Sequence, residues 1–192
     1  SSFARLPKPV FRDEDALDLV RQAVFLQEVA HSGIAFSVGS SELIDREVRC
    51  DRHQFGQAMT NVLKNAVEAV EARAAEGKGQ YAGEIAVTMR DAGEAIVVTI
   101  EDNGIGLPPD RSRLFEPYVT TREKGTGLGL PIVKKIIEEH GGTLVLTDAP
   151  AFSPDAHKGA MAEIRIPRAR QAPRAIKDRD PVPTLIPSVG HE

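Results

Sequence analysis

Between Glu101 and Leu130 the chain runs EDNGIGLPPDRSRLFEPYVTTREKGTGLGL, crowding glycine, proline, hydroxyl and basic residues into one stretch. Glycine frees the backbone, so such a stretch suits a flexible linker or a loop that closes over a phosphate. Its flanks limit the choice. Before it, Ile96 to Ile100 read as an apolar strand; after it, Leu130, Val133, Ile136 and Ile137 repeat at helical spacing. Pro131 fits the first turn of that helix, and Gly141-Gly142 ends it. The glycines at 125, 127 and 129 thus lead straight into a helix N-terminus, where free N–H groups and the positive end of the dipole suit a phosphate.

The rest of the chain supplies an ordinary core. With 192 residues, 41% hydrophobic and 27% charged, it suits one globular domain with appendages. A net charge of -4 argues against nucleic acid as the main partner. No run reaches the roughly 18 apolar residues of a membrane span. A single cysteine, Cys50, excludes an internal disulfide and reads as a small buried hydrophobe at a strand end. The chain lacks a starting Met and is expected to be a piece of something longer.

Residues 1–12, with Leu6-Pro7-Lys8-Pro9, read as a connector after the end of an upstream helix. Asp13 is a candidate N-cap for a helix whose apolar positions include Leu17, Val20, Val24 and Phe25. Ile34, Phe36 and Val38 alternate as a strand, and a short strand at Glu47–Cys50 is expected to pair with it. Asp51, with Gln54 three positions on, marks the next helix, striped by Phe55, Met59, Val62, Ala66 and Val70 and ending near Arg73 to Glu76. Strands follow at Ile85–Met89, Ala95–Glu101, Thr143–Thr147 and Met161–Ile166, with a hairpin turn at Asp91-Ala92-Gly93-Glu94. The expected class is α+β, a two-layer α/β sandwich whose mixed, mostly antiparallel sheet is covered on one face by helices. Residues 167–192, rich in proline and charge, read as a flexible tail.

Three motifs carry candidate chemistry. Asn61, Asn65 and Glu68 share one side of the marked helix. They are either solvated side chains or oxygen ligands for a hard cation such as Mg²⁺. Asp102-Asn103-Gly104-Ile105-Gly106 follows a strand; it is either a simple turn or a carboxylate poised for a ligand amine, with glycines that let a flat ligand approach. Gly125-Thr126-Gly127-Leu128-Gly129 fits neither the Rossmann fingerprint nor the P-loop.

Their order is more telling than any one of them. Asn61/Asn65, Asp102/Gly104/Gly106, Phe115/Pro117/Tyr118 and Gly125/Gly127/Gly129 give N-x-x-x-N, D-x-G-x-G, F-x-P-[FY] and G-x-G-x-G in sequence. This resembles the ATP-binding domain of sensor histidine kinases, a Bergerat-type fold in the superfamily shared with gyrase, Hsp90 and MutL. The resemblance spans residues 13–166 and looks most like the NtrY-type, nitrogen-regulation branch. It implies ATP and Mg²⁺ as cofactors. It implies that Asp102 holds the adenine amino group, Gly104 and Gly106 shape the base pocket, and Asn65 ligates Mg²⁺ with Asn61 nearby. Gly125, Thr126, Gly127, Leu128 and Gly129 would wrap the phosphates. Residues 107–124 would form a lid anchored by Phe115, with Thr120, Thr121, Arg122 and Lys124 in reach of the terminal phosphate. One departure stands out: Glu68 occupies a position that is basic in many relatives.

Superfamily members that hydrolyse ATP place a glutamate base where this chain has Asn61, which cannot take a proton from water. Transfer to a supplied nucleophile is therefore the expected reaction, with Asn61, Arg122 and Lys124 as its catalytic residues. None of the five histidines (His31, His53, His140, His157, His191) has the acceptor context of the family. His31 and His140 read as ordinary helix-end positions that favour a cation. The acceptor histidine is expected on a separate, upstream dimerisation domain, and a response regulator is the expected further partner. The piece is expected to be monomeric, not membrane-inserted, and the cytoplasmic portion of an inner-membrane-anchored bacterial sensor kinase. Alternatives are a serine/threonine kinase of the anti-sigma-factor type and a non-catalytic ATP-gated binding module.

Overall fold

The computed structural model describes residues 6–116, 129–150 and 159–168. Ten elements follow one another. They are β1 (Arg12–Asp15), α1 (Ala16–Ala30), β2 (Ala35–Glu42), β3 (Glu47–Cys50), α2 (Arg52–Ala75), β4 (Glu84–Asp91), β5 (Ala95–Asp102), α3 (Gly129–Glu139), β6 (Thr143–Asp148) and β7 (Ala160–Pro167). Five strands form one sheet in the order β2-β4-β5-β7-β6, and β1 and β3 form a separate pair. Only β2 and β4 run parallel; every other neighbouring pair is antiparallel. The expected α+β class with a mixed, mostly antiparallel sheet is what the chain adopts.

Three local expectations need correction. The N-cap of α1 is Asp15, whose carboxylate accepts the Asp18 N–H at 3.0 Å; Asp13 lies inside β1. The reason is pairing: Arg12 to Asp15 are held extended against Cys50 to Glu47, which delays the helix until that ladder ends. The same ladder means that β3 pairs with β1 and not with β2. Phe25 is 61% exposed, a rotation of about 100° away from buried Val24, and Leu19 and Ala23 fill the core in its place.

The core lies between the helices and one face of the sheet. Phe55, Met59 and Leu63 of α2, Val20 of α1 and Ile136 and Ile137 of α3 meet Ile85, Met89, Ile96, Val98, Ile164 and Ile166 of the strands, all fully buried. Each large aliphatic side chain buried this way stabilises by about 1.5–3 kcal/mol. Cys50 joins the same cluster as a free, buried thiol.

Asp51 caps α2 as its pattern predicts: one carboxylate oxygen accepts the Gln54 N–H at 2.9 Å. Its other oxygen accepts the Val10 N–H at 2.8 Å, and Gln54 Nε2 donates to the Pro7 carbonyl at 2.7 Å. The N-terminal segment is thereby fastened to the start of α2. His140, at the end of α3, completes the junction. Its Nε2 accepts the Asp51 N–H at 3.1 Å, its Nδ1 lies 2.8 Å from the Ile136 carbonyl, and the Phe11 ring meets it edge-on at 5.1 Å. It is therefore no exposed helix-end cation. The two partners fit the neutral ring with its proton on Nδ1.

At the far end of β7, Arg168 reaches the carbonyls of Gly93, Asp45 and Glu47 and the carboxylate of Asp91. It ties β7 to the β4–β5 turn, where Gly93 takes a left-handed φ of 76°, and to the β2–β3 loop.

Candidate active site

The site candidates converge where α2, the end of β5 and the start of α3 meet. Asn61, Asn65 and Glu68 lie half-buried along one side of α2, beside buried Val62, Ala66 and Ala69. Asp102 ends β5, the central strand of the sheet, and is 4% exposed. One oxygen of its carboxylate accepts the Gly104 N–H at 2.9 Å and lies 3.5 Å from the Ala160 N–H. The carboxylate is thus oriented by the chain that follows it and by the start of β7.

Gly104 explains how β5 and α2 approach so closely. A Cβ at this position would sit 2.6 Å from both the Ala69 carbonyl oxygen and the Val70 nitrogen, so only glycine fits. The Ile105 N–H then bonds the Ala69 carbonyl at 2.9 Å. The missing side chain faces the helix rather than a ligand. Ala69 is one helical turn beyond Asn65, so this packing sets Asp102 and Asn65 in register. Gly106 takes a left-handed φ of 86° as the chain turns away. Gly159 presses on the other flank, where a Cβ would overlap the Asp102 carbonyl.

Gly129 opens α3. The position a Cβ would take there is 3.8 Å from the side-chain oxygen of Asn65. The third motif therefore starts its helix against the first. Phe115 is half-buried with Lys134 of α3 5.0 Å above its ring, and Arg111 pairs with Asp148 at 2.7 Å. Pro117, Tyr118, Thr120, Thr121, Arg122, Lys124, Gly125, Thr126, Gly127 and Leu128 lie outside the described residues.

The donor set fits a nucleotide-borne Mg²⁺. No group of three His, Cys, Asp or Glu among the described residues could hold a metal by itself. Asn65 offers one amide oxygen beside a glycine helix start, with Glu68 on the same side of α2. Mg²⁺ takes few protein oxygens and completes its shell with phosphates and water, so one such ligand suffices.

Asn103 is an organiser that sequence reasoning overlooks, being easily taken for a mere turn residue. It is 7% exposed and every polar atom is engaged. Its Oδ1 accepts from the Glu84 N–H at 2.8 Å and lies 3.0 Å from the Tyr81 hydroxyl; its Nδ2 donates to the Ala82 carbonyl at 2.9 Å. Its backbone N–H bonds the Glu84 carbonyl at 3.2 Å, and its carbonyl accepts from Arg73 at 2.6 Å. A buried asparagine next to the key carboxylate is the one signal that could have flagged it. Among the histidines, His31 caps α1 at its C-terminal end and lies 3.5 Å from Glu71, and His53 is exposed in the first turn of α2.

Residues 50–170 match the family model described as histidine kinase-, DNA gyrase B- and HSP90-like ATPase, and the chain belongs to that family. Within that family it is similar to the catalytic domains of sensor histidine kinases. It is 49% identical to nitrogen regulation protein NtrY of Azorhizobium caulinodans over 176 residues, 91% of this chain and 21% of that protein. A putative NtrY-like sensor histidine kinase of Rickettsia typhi is 37% identical over 165 residues, 85% of this chain and 25% of that protein. The chain thus spans about a fifth to a quarter of these relatives. Among solved structures, the mycobacterial sensor histidine kinase MprB superposes with a TM-score of 0.68 at 26% identity, covering 82% of this chain and 97% of that one. Histidine kinase ThkA, solved in complex with the response regulator protein TrrA, gives 0.65 at 25% identity, covering 84% and 42%. Among the described residues no helix is long and apolar enough to cross a membrane.

Proposed function

We propose that this chain binds Mg-ATP between α2, the end of β5 and the start of α3. Its role is to deliver the γ-phosphate to a histidine on a dimerisation domain elsewhere in the longer protein. The observation that carries this is the convergence of Asn65, Asp102 with Gly104, and Gly129 where α2, β5 and α3 meet, with Asn65 Oδ1 3.8 Å from the Gly129 Cβ position. Asp102 accepts a hydrogen bond from the adenine amino group, and Gly104 and Gly106 shape the turn beside the base. Asn65 gives its amide oxygen to Mg²⁺, with Asn61 one turn away. Gly125, Thr126, Gly127, Leu128 and Gly129 would supply N–H groups to the phosphates, and Thr120, Thr121, Arg122 and Lys124 would serve the terminal phosphate from a lid spanning 107–124. Bound Mg²⁺ neutralises phosphate charge; the protein's share is to position the donor and keep water out. Asn61 cannot deprotonate water, which favours transfer over hydrolysis.

In the whole protein the supporting parts are a histidine-bearing helix pair upstream and a response regulator as phosphate acceptor; the relative ThkA is known in complex with one. We take residues 1–12 as the connection between the two domains and 13–166 as the catalytic unit, which Pro167 at the end of β7 and Arg168 beside it extend. We place the unit on the cytoplasmic side of an inner-membrane-anchored sensor, monomeric when separate from its dimerisation helices. The test is transfer of label from γ-labelled ATP to a separately made helix pair bearing the acceptor histidine of the parent protein. Acid-labile, base-stable label on that pair is the expected result. Label on serine or threonine, or none at saturating ATP, would overturn the reading.

A further inference from the structure

Asp102 is held from two sides, and one of those sides has no part in the reading above. On the first side Gly104 and Ile105 lean on the backbone of α2, as already described. On the second, Asn103 is gripped by the segment that joins α2 to β4. Arg73, in the last turn of α2, sends its guanidinium to the Asn103 carbonyl at 2.6 Å and lies over the Tyr81 ring at 4.3 Å. The Tyr81 hydroxyl stands 3.0 Å from both the carbonyl and the side-chain oxygen of Asn103. The hydroxyl has one proton, so it serves these two acceptors in turn, while Arg73 and the Glu84 N–H hold them continuously. Neither Arg73 nor Tyr81 belongs to any motif that defines the site.

The arrangement has a direction. Tyr81 and Arg73 form a stacked pair whose polar ends both point at one carbonyl, that of Asn103, the residue after Asp102. A purely structural pair has no need to aim there. Base recognition through a single carboxylate does, because a hydrogen bond weakens steeply as its angle departs from linear. Sites of this kind hold their key groups through supporting hydrogen bonds.

We propose that Arg73 and Tyr81 are positioning residues for base selection. By clamping Asn103 they fix the angle at which Asp102 meets a 6-amino purine, and so set the preference for adenine over a 6-oxo purine without touching the base. This rests on the assignment of Asp102 to the adenine amino group.

The test uses the full 192-residue chain and isothermal titration with two probes, ADP and inosine diphosphate, in the presence of Mg²⁺. Melting temperature is read for each variant. Tyr81→Phe removes the hydroxyl and keeps the ring under Arg73. It is expected to weaken ADP by roughly five-fold, the effect of one lost hydrogen bond. It should leave inosine diphosphate nearly unchanged, so that the ratio of the two falls. Arg73→Ala should lower the ratio further, and Arg73→Lys, which keeps a donor and a cation, should recover part of it. A uniform loss for both probes alongside a lower melting temperature would reduce the pair to scaffolding and overturn the proposal. An unchanged ratio in Tyr81→Phe and Arg73→Ala, with Asp102→Ala abolishing discrimination, would also overturn it while leaving the adenine assignment intact. If Asp102→Ala itself keeps full discrimination, the adenine assignment fails, and the proposal with it.

Discussion

His140 Nε2 accepts the backbone N–H of Asp51, joining the first residue after α3 to the cap of α2 across 3.1 Å. Both residues of this bond are buried. Replacing His140 with Ala should cost about 2–3 kcal/mol, an orphaned donor plus lost packing against Phe11. His140→Gln, which can still accept, should recover part of the loss. Urea midpoints of the two variants are the check, and equal midpoints would contradict the role given to the ring nitrogen.

Asp51 adds a pH dependence. Burial, the largest single influence, pushes its carboxyl up. The hydrogen bonds from the Gln54, Val10 and His53 N–H groups together bring it below the ordinary value. A carboxyl lowered in the folded state contributes stability that is present above its unfolded pKa of about 3.9 and lost as pH falls through the folded value. Asp51→Asn keeps one acceptor for the Gln54 N–H but not a second for the Val10 N–H, and should lower stability at pH 7 by about 1 kcal/mol, the worth of one hydrogen bond. It should also lessen the fall in stability below about pH 4. Denaturant titrations at pH 7 and pH 3 test both parts; a variant with the full acid sensitivity of the parent would refute the assignment.

Gly104→Ala should damage the nucleotide site before anything else. The added methyl meets the Ala69 carbonyl and the Val70 nitrogen at 2.6 Å, and helix backbone cannot yield cheaply. The strand end must retreat, carrying Asp102 with it. We expect a loss of at least about 2 kcal/mol in stability, within the range of overpacked cores. ADP affinity in titration should fall more than ten-fold, by roughly the free energy of a misplaced anchoring group. Wild-type affinity would show that the close approach is not needed.

Arg168→Ala should loosen the opposite end of the sheet. The side chain is 15% exposed and serves three carbonyls and the Asp91 carboxylate. Its removal leaves Asp91 short of a cation and should cost about 2–3 kcal/mol. Because Arg168 is remote from α2 and α3, ADP affinity should stay within about two-fold, as expected of independent sites. A thermal melt and an ADP titration on one sample separate the two effects.

Cys50 should be inert in the folded protein. Burial pushes its thiol up to about 12, with Glu14 and Asp51 adding to the effect. The thiolate that reacts with a disulfide reagent is then scarce at pH 8. Labelling should be slow in buffer and complete within minutes in denaturant; rapid labelling of the native chain would show that the strand end opens.

The elements whose cause is local were legible in sequence. The cap at Asp51, the stripe from Phe55 to Val70 and the glycine stop after α3 all follow from spacing within a few turns. The candidate site was legible as an ordered set of motifs, because Asn65, Asp102 and Gly129 each sit at the end or on the face of an element with a clear pattern. Features set by distant neighbours were not. β3 pairs with β1 across the whole of α1 and β2, and no residue in either strand announces that partner. Gly104 shows its purpose only when Ala69 is seen behind it. His140 looks like a helix-end cation until Asp51 and Phe11 enclose it. Asn103, Tyr81 and Arg73 come from three separate segments, and their meeting is a fact of the fold alone.

The strands that flank the site also bear on how the chain tolerates change. β5 and β7 are neighbours, with Glu101 opposite Met161, yet everything from the D-N-G turn through α3 and β6 lies between them in sequence. The entropy of closing such a loop grows only with the logarithm of its length, about 0.6 kcal/mol for each doubling. Residues added or removed between Leu107 and Gly129 therefore change the cost of bringing β5 and β7 together very little. The length of that stretch is open to be set by what the site must cover and release, with the sheet indifferent to the outcome.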